Sequence, residues 1–281
     1  MIETVDHIII VVEDLHSAEE NYTKILGLKP VWRGAHDALG TSNVLFNFEN
    51  TYLELLSATG SGIGADLVKQ TIKEKGDSLL GLVLGTKDIN SFREIIEKSG
   101  HSLSELSDGE GKNEQNEQRE WLLQFLPNEL TRGIFSFVIE HKSEGLPLFT
   151  KDKSTVSRLE QVVVKTNDIN GFIKVYRDIF GIRLALDKFV EAWKKRILFF
   201  RLNKTTIEVI EEKNDEDIPK DSLWGLAWGV RDISQTRKRL LANNVEVSDI
   251  RPGVKEGTLV ATISSHTNNV PTLLIEHIKK A

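Results

Sequence analysis

The sequence predicts an α+β fold assembled from four copies of one unit: a strand, a helix, then three strands. The first observation behind this is a phrase that recurs four times, an apolar run ending in an acidic turn. It reads His7-Ile8-Ile9-Ile10-Val11-Val12-Glu13-Asp14, Gly81-Leu82-Val83-Leu84-Gly85-Thr86-Lys87-Asp88, Gln161-Val162-Val163-Val164-Lys165-Thr166-Asn167-Asp168 and Gly225-Leu226-Ala227-Trp228-Gly229-Val230-Arg231-Asp232. The second is the helical spacing of apolar residues after each aspartate. The third is a set of strand-like stretches closed by hairpin turns. A repeat of this length decides the fold before any local reading does.

Each element follows from its residues. The helix stripes are Leu15, Ala18, Tyr22, Ile25 and Leu26, then Ile89, Phe92, Ile95 and Ile96, then Ile169, Phe172, Val175, Tyr176 and Ile179, then Ile233, Leu240 and Leu241. Gly27, Gly100, Gly181 and Asn243-Asn244 supply the stops. The first unit continues with strands at 29–33, 43–48 and 52–56, turning at Glu49-Asn50. The third continues at 183–186, 196–202 and 205–210, turning at Asn203-Lys204. One unit alone leaves sheet edges open, so the units must pair. This gives two paired-unit domains, 1–145 (units 1–75 and 76–145) and 155–281 (units 155–215 and 220–281). The charged stretch Lys142 to Ser157 reads as their linker, and polar Ser107 to Glu120 as a mobile surface loop.

Composition narrows the class. With 281 residues, 40% of them hydrophobic, there is material for two cores. The net charge of −6 argues against a nucleic-acid partner. The absence of cysteine excludes disulfides, thiolate metal sites and cysteine nucleophiles. No apolar stretch has the length of a membrane span and no signal-peptide pattern is present, which predicts a cytoplasmic protein with no membrane partner. No phosphate-cradling loop or nucleophile elbow occurs.

The repeated unit resembles the vicinal oxygen chelate superfamily, which includes glyoxalase I, extradiol ring-cleaving dioxygenases and bleomycin-resistance proteins. The N-terminal half is most similar to the glyoxalase-like branch, through Val5-Asp6-His7-Ile8, His36-Asp37-Ala38-Leu39-Gly40-Thr41-Ser42-Asn43 and Tyr52-Leu53-Glu54-Leu55-Leu56. The resemblance implies a U-shaped sheet around a divalent metal, with ligands from the first and last strands of each unit. The first-strand slots hold His7, Gly81, Gln161 and Gly225; aligning the last strands puts Glu54, Glu140, Glu208 and Glu276 in the others. A carboxylate on an interior strand face is costly unless paired or metal-bound.

The implied metal set is therefore His7, Glu54 and Glu140, for zinc, iron, manganese or nickel alike. Glu54 or Glu140 would also serve as the catalytic base next to a chelated carbonyl, in a lyase or isomerase type of reaction. His36, Thr41 and Asn43 are the candidates for binding a small oxygenated substrate. His141 and His277 directly follow their glutamates, so alternation turns them away if the glutamates point inward.

Two readings stay open. In the second, the protein is a metal-free binding or sequestering protein of the bleomycin-resistance type, a reading that Gly81 and Gly225 favour. The second half, with Gln161, Glu208 and Glu276, reads as metal-poor or as scaffold. Strand glutamates facing solvent or a basic neighbour, and a surface-loop His36, are the plain structural alternatives. A homodimer is compatible with either function.

Overall fold

The structure, a computed structural model, describes residues 1–148, 152–212 and 218–278. The first unit is strand β1 (Thr4–Val11), helix α1 (Leu15–Leu26), then β2 (Trp32–His36), β3 (Thr41–Asn47) and β4 (Tyr52–Ala58). Helix α2 (Ile63–Lys75) leads to the second unit: β5 (Ser78–Gly85), α3 (Ile89–Lys98), β6 (Ser107–Asn113), β7 (Gln118–Phe125), the single turn α4 (Asn128–Thr131) and β8 (Phe137–His141). The third runs β9 (Val156–Thr166), α5 (Ile169–Ile173), β10 (Arg183–Val190), β11 (Lys195–Leu202) and β12 (Thr205–Glu211). The fourth runs β13 (Asp221–Val230), α6 (Ile233–Ala242), β14 (Arg251–Pro252), β15 (Thr258–Ile263) and β16 (Thr272–His277).

The recurring aspartate has a structural cause. Each of Asp14, Asp88, Asp168 and Asp232 is the N-cap of the helix that follows, its carboxylate accepting from a backbone N–H of the first turn. A cap satisfies donors the helix cannot pair itself, worth about 1 kcal/mol each. Gly27 ends α1 with φ of 69°, a left-handed conformation that a side chain disfavours. In the third unit the helix widens over Lys174–Ile179 into a π turn, with Phe180 N–H donating to the Val175 carbonyl.

In both sheets the first strand of a unit pairs in parallel with the last strand of that unit and antiparallel with the first strand of the next unit. Units one and two therefore pair, as do three and four. The first sheet closes into a barrel in the order β1-β4-β3-β2-β6-β7-β8-β5, and the second stays open from β10 to β14. Closure comes from Gly34 and Ala35 of β2 pairing with Asn113 and Lys112 of β6.

That pairing corrects one expectation. Ser107 to Glu120 is not a loop; it forms most of the β6–β7 hairpin. The strand is hidden in the sequence because its inward positions are glycines. Trp121 lies across Gly109, where a Cβ would fall 2.0 Å from the indole Nε1. Helix α2 has no counterpart among the helices read from the sequence; it buries Ala65, Val68 and Thr71.

Outward-facing residues of both sheets and the buried stripes of the helices form one continuous apolar core, including Ile8, Ile10, Tyr22, Phe92, Phe172, Tyr176, Phe200 and Trp228. Polar groups lock the halves together across it. Asn50 donates to the Leu159 carbonyl at 2.9 Å and to Thr205 Oγ1 at 2.7 Å. Arg239 donates to the carbonyls of Lys24 and Ile25 at the end of α1. Arg132 reaches Asp221 through Nε at 2.7 Å and Asp168 through Nη1 at 3.2 Å. Burial pushes the Asp221 carboxyl up even beside this arginine, so desolvation of the pair is only partly offset. Breaking such a pair strands a buried charge. Arg132→Met should therefore lower unfolding free energy by about 3–5 kcal/mol, read from urea denaturation followed by far-UV circular dichroism.

Candidate functional site

The barrel interior holds a cluster of ionisable groups that begins in β1. Pairing between β1 and β5 shifts register between Val5 and His7, which makes Asp6 an extra residue, a bulge. Val5 thus faces the apolar core, while Asp6 and His7 both turn inward. Thr51 holds the bulge by donating to the Asp6 carbonyl at 2.7 Å. His7, 3% exposed, lies with Nδ1 2.7 Å from Asp6 Oδ1 and Nε2 3.4 Å from Glu54 Oε2. Asp6 fixes the ring so that Nε2 is left for Glu54. Glu54, 7% exposed on β4, accepts from Asn43 Nδ2 of β3 at 2.7 Å. Asp6 also receives His141 Nε2 at 3.0 Å.

Aromatic rings wall this cluster. Tyr52 stacks on His7 with centroids 4.5 Å apart, and Phe137 meets His7 edge-on at 6.1 Å. The guanidinium of Arg119, from β7, lies 5.5 Å from the Tyr52 ring and 5.7 Å from that of Trp32. His36 packs against Trp121 at 6.0 Å. A cleft of about 270 Å³ opens beside His36 and Thr41, bounded by Gly40, Thr59 and Ser61. His36 Nδ1 lies 3.2 Å from Thr41 Oγ1. Thr41 and Asn43 share one face of β3, Thr41 at the mouth and Asn43 one step deeper at Glu54.

The candidate residues thus divide. His7, Glu54 and Asn43 meet in the interior, and His36 and Thr41 border the cleft. Glu140 stands elsewhere. Its Oε2 accepts from the Ile89 N–H at 2.8 Å at the start of α3, and its other oxygen meets Lys142. Strand register explains this. Ile10 pairs with Leu55, and its repeat partner Leu84 pairs with Val138, so Glu54 corresponds to Phe137 and not to Glu140. In the third unit Gln161 pairs with Thr206 as His7 pairs with Tyr52, so Glu208 does correspond to Glu54. In the fourth, Leu226 pairs with Thr272, which puts Leu273 in that slot. Glu276 repeats the role of Glu140, accepting from the Ile233 N–H at 2.8 Å. Aligning the four glutamates as one set merges pocket residues with helix caps.

The same parity turns His141 inward, against the expectation that it faces away. Asp6 and Arg119 were not singled out from the sequence, and His141 was placed on the wrong face. A signal existed for two of them: Glu160 and His277 repeat Asp6 and His141 in the second half, where His277 Nε2 lies 2.8 Å from Glu160 Oε1.

A divalent metal does not fit these donors. His7 and Glu54 are both in the first unit. The matching slots of the second unit hold Gly81 and Phe137, neither a ligand, and the space at Gly81 belongs to Ile9, whose Cδ1 would lie 2.9 Å from a Cβ there. Among the described residues no three acidic or imidazole groups converge in a metal-holding arrangement.

In the second sheet Gln161 and Ile197 replace His7 and Asn43, judged by the pairings of β9 and β11 with β12. Among the described residues Glu208 has no hydrogen-bond or ion-pair partner, and burial pushes its carboxyl up to about 7.

A family model described as a glyoxalase-like domain matches residues 5–180, and another, described as the glyoxalase/bleomycin resistance protein/dioxygenase superfamily, matches residues 160–262. No curated protein matches the chain. A mutant of 4-hydroxymandelate synthase from Streptomyces coelicolor superposes with a TM-score of 0.71 at 14% identity, covering 100% of this chain and 94% of that one. A hypothetical protein from Staphylococcus aureus gives 0.65 at 14% identity, covering 96% and 98%. A xylose isomerase-like TIM barrel/4-hydroxyphenylpyruvate dioxygenase fusion protein gives 0.62 at 12% identity, covering 100% of this chain and 50% of that one. At such identities the likeness is one of fold. No helix among the described residues is long and apolar enough to cross a membrane.

The contacts within the cluster favour the charged forms of Asp6, His7 and Glu54. Burial opposes ionisation of Asp6, but hydrogen bonds from His141 and His7 outweigh it and hold the carboxyl far below its usual range. Burial likewise opposes charge on His7 and on Glu54. Their contacts win: Asp6 and Glu54 raise the imidazole, and His7 lowers Glu54. The carboxylates stabilise the fold above their unfolded values near 4 and lose this as pH falls through the depressed folded values. His7 stabilises it below about 6.5 and loses this as pH rises through its raised folded value. Stability from the cluster should therefore be greatest between about pH 4 and 6.5 and decline on both sides. Urea midpoints across pH test this, and Asp6→Asn should lower the His7 pKa seen by NMR.

Proposed function

The chain belongs to the glyoxalase-like domain family, and from that premise we propose that its first barrel transfers protons on a small oxygenated molecule, with Glu54 as base and His7 as acid. The observation that carries this is the buried His7 ring held between Asp6 at 2.7 Å and Glu54 at 3.4 Å. The contacts described above favour the carboxylate form of Glu54 and the imidazolium form of His7 over their neutral forms. A carboxylate and an imidazolium side by side suit abstraction of a proton next to a carbonyl.

Glu54 takes the proton from carbon, the electron pair moves onto the carbonyl oxygen, and His7 Nε2–H hydrogen-bonds to or protonates that oxygen. Delivery of a proton to the opposite face of the same carbon gives an epimer, and delivery to the neighbouring carbon gives an isomer. Asp6 keeps the His7 ring oriented and balances its charge, and Asn43 holds one Glu54 oxygen so that the other faces His7. The metal-dependent form of this reaction needs a third donor, the role foreseen for Glu140, which instead caps α3. No step here uses a metal.

Sequestration without chemistry is the second reading. It is supported by the closed barrel and by the aromatic rings that line its interior, Trp32, Tyr52, Trp121 and Phe137.

Deuterium uptake separates the two. Small 2-hydroxy and 2-oxo compounds incubated with protein in heavy water should lose the proton signal next to their carbonyl. Glu54→Gln should slow this about 10²–10⁴-fold, and chelator should leave it unchanged. Exchange that needs an added divalent ion overturns the metal-free mechanism. Compounds that raise the melting temperature but never exchange favour sequestration.

A further inference from the structure

The acid–base reading leaves one cation in the barrel unaccounted for. Arg119 is 9% exposed, and its Nε is buried with no hydrogen-bond partner. Its Nη2 approaches the imidazole Nδ1 of His141 at 3.5 Å, and it lies beside the rings of Trp32 and Tyr52, with a side-chain hydrogen bond to Tyr52. The interior carboxylates are committed to others: Asp6 to His7 and His141, Glu54 to His7 and Asn43. A guanidinium does not discard its proton on burial, so an unmatched one retains a full desolvation cost.

A second orphan lies beside the reacting pair. Asn43, 5% exposed, donates its Nδ2 to Glu54 and has an Oδ1 with no partner. The interior thus keeps one unpaired donor on a cation and one unpaired acceptor next to the base.

We propose that Arg119 is the anion-recognition residue of this site and that the ligand is a small carboxylate bearing a hydroxyl or carbonyl group. Beside the Trp32 and Tyr52 rings the guanidinium keeps one edge, Nε with a terminal nitrogen, on which Nε has no hydrogen-bond partner among the described residues. A planar carboxylate fits that edge in the two-pronged manner. Tyr52 stacks on His7 and lies beneath Arg119, and His141 joins Arg119 to Asp6, so the anion end and the reacting end are one ring apart. The hydroxyl of the ligand would meet Asn43 Oδ1. The proposal rests on the acid–base reading for its reacting end, but its anion contact is separately testable.

The experiment is calorimetric titration of the intact protein with pyruvate, lactate and malonate, each against its amide, with inorganic phosphate as a further arm. The acids should bind about 10–100-fold more tightly than the amides, the worth of a charged hydrogen bond. Arg119→Gln should erase that preference, and Arg119→Lys, which keeps the charge without the fork, should restore part of it. Equal affinity for acid and amide in the unaltered protein overturns the proposal without reference to any variant. So does a preference for phosphate over every carboxylate, or an acid preference that survives Arg119→Gln. His7→Gln distinguishes the two readings. If it abolishes deuterium uptake while acid preference persists, both stand. If uptake is unaffected and acid preference persists, the acid–base reading falls alone; if uptake is lost and no acid preference exists, the anion contact falls alone.

Discussion

Both sheets turn their outer faces to a single apolar core, and that shared core dictates where everything else can go. A strand has two faces and a side-chain period of two. Once Ile8, Ile10, Leu53, Leu55, Leu82, Leu84 and Val138 are committed to the core, the alternate residues have the barrel interior as their only destination. His7, Glu54, Phe137 and His141 are inside for this reason. A histidine and a glutamate in an apolar strand are expensive to bury separately, and each is the other's compensation. Asp6 is the exception to the alternation. It enters the interior because one bulge adds a residue, and its carboxylate then hydrogen-bonds both neighbouring imidazoles and favours the charged form of His7.

Much of this was legible in the residues. The repeat, the helix stripes and their stops are written in apolar spacing and in capping chemistry. The inward direction of His7, Glu54 and Asn43 follows from alternation within single strands. What failed was counting across units. Glu140 and Glu276 stand in the same kind of apolar run as Glu54, and nothing local reveals that their strands are offset by three residues. The offset changes parity, so the glutamate leaves the interior and the adjacent histidine enters it. The β6–β7 hairpin was unreadable for another reason. Its inner positions are glycines that make room for Trp121, so strand periodicity vanishes from β6 while the strand remains. With the hairpin went Arg119.

The two halves have kept one arrangement and diverged in another. The carboxylate–imidazole contact survives in both, as Asp6 with His141 and as Glu160 with His277. Around Glu208, however, the imidazole and amide have become Gln161 and Ile197, and the sheet does not close. The same carboxyl group is consequently a depressed, ionised one in the first half and an elevated one in the second. Duplication supplied equivalent positions; their neighbours decide the protonation state.

The polar locks across the core carry a consequence for how the chain holds together. Asn50 bonds to the backbone of β9, Arg132 to β13, and Arg239 to the end of α1, while Tyr22 donates to the Thr267 carbonyl. Arg239 also donates through Nε to the carbonyl of Ser154, in the segment that joins the sheets, at 3.0 Å. Each sheet is therefore half of one core, held to the other by contacts distant in sequence as well as by the chain. Each alone would present a wet face of Phe92 or Phe172 and Tyr176 to solvent. The covalent chain sets the local concentration of two surfaces that already fit.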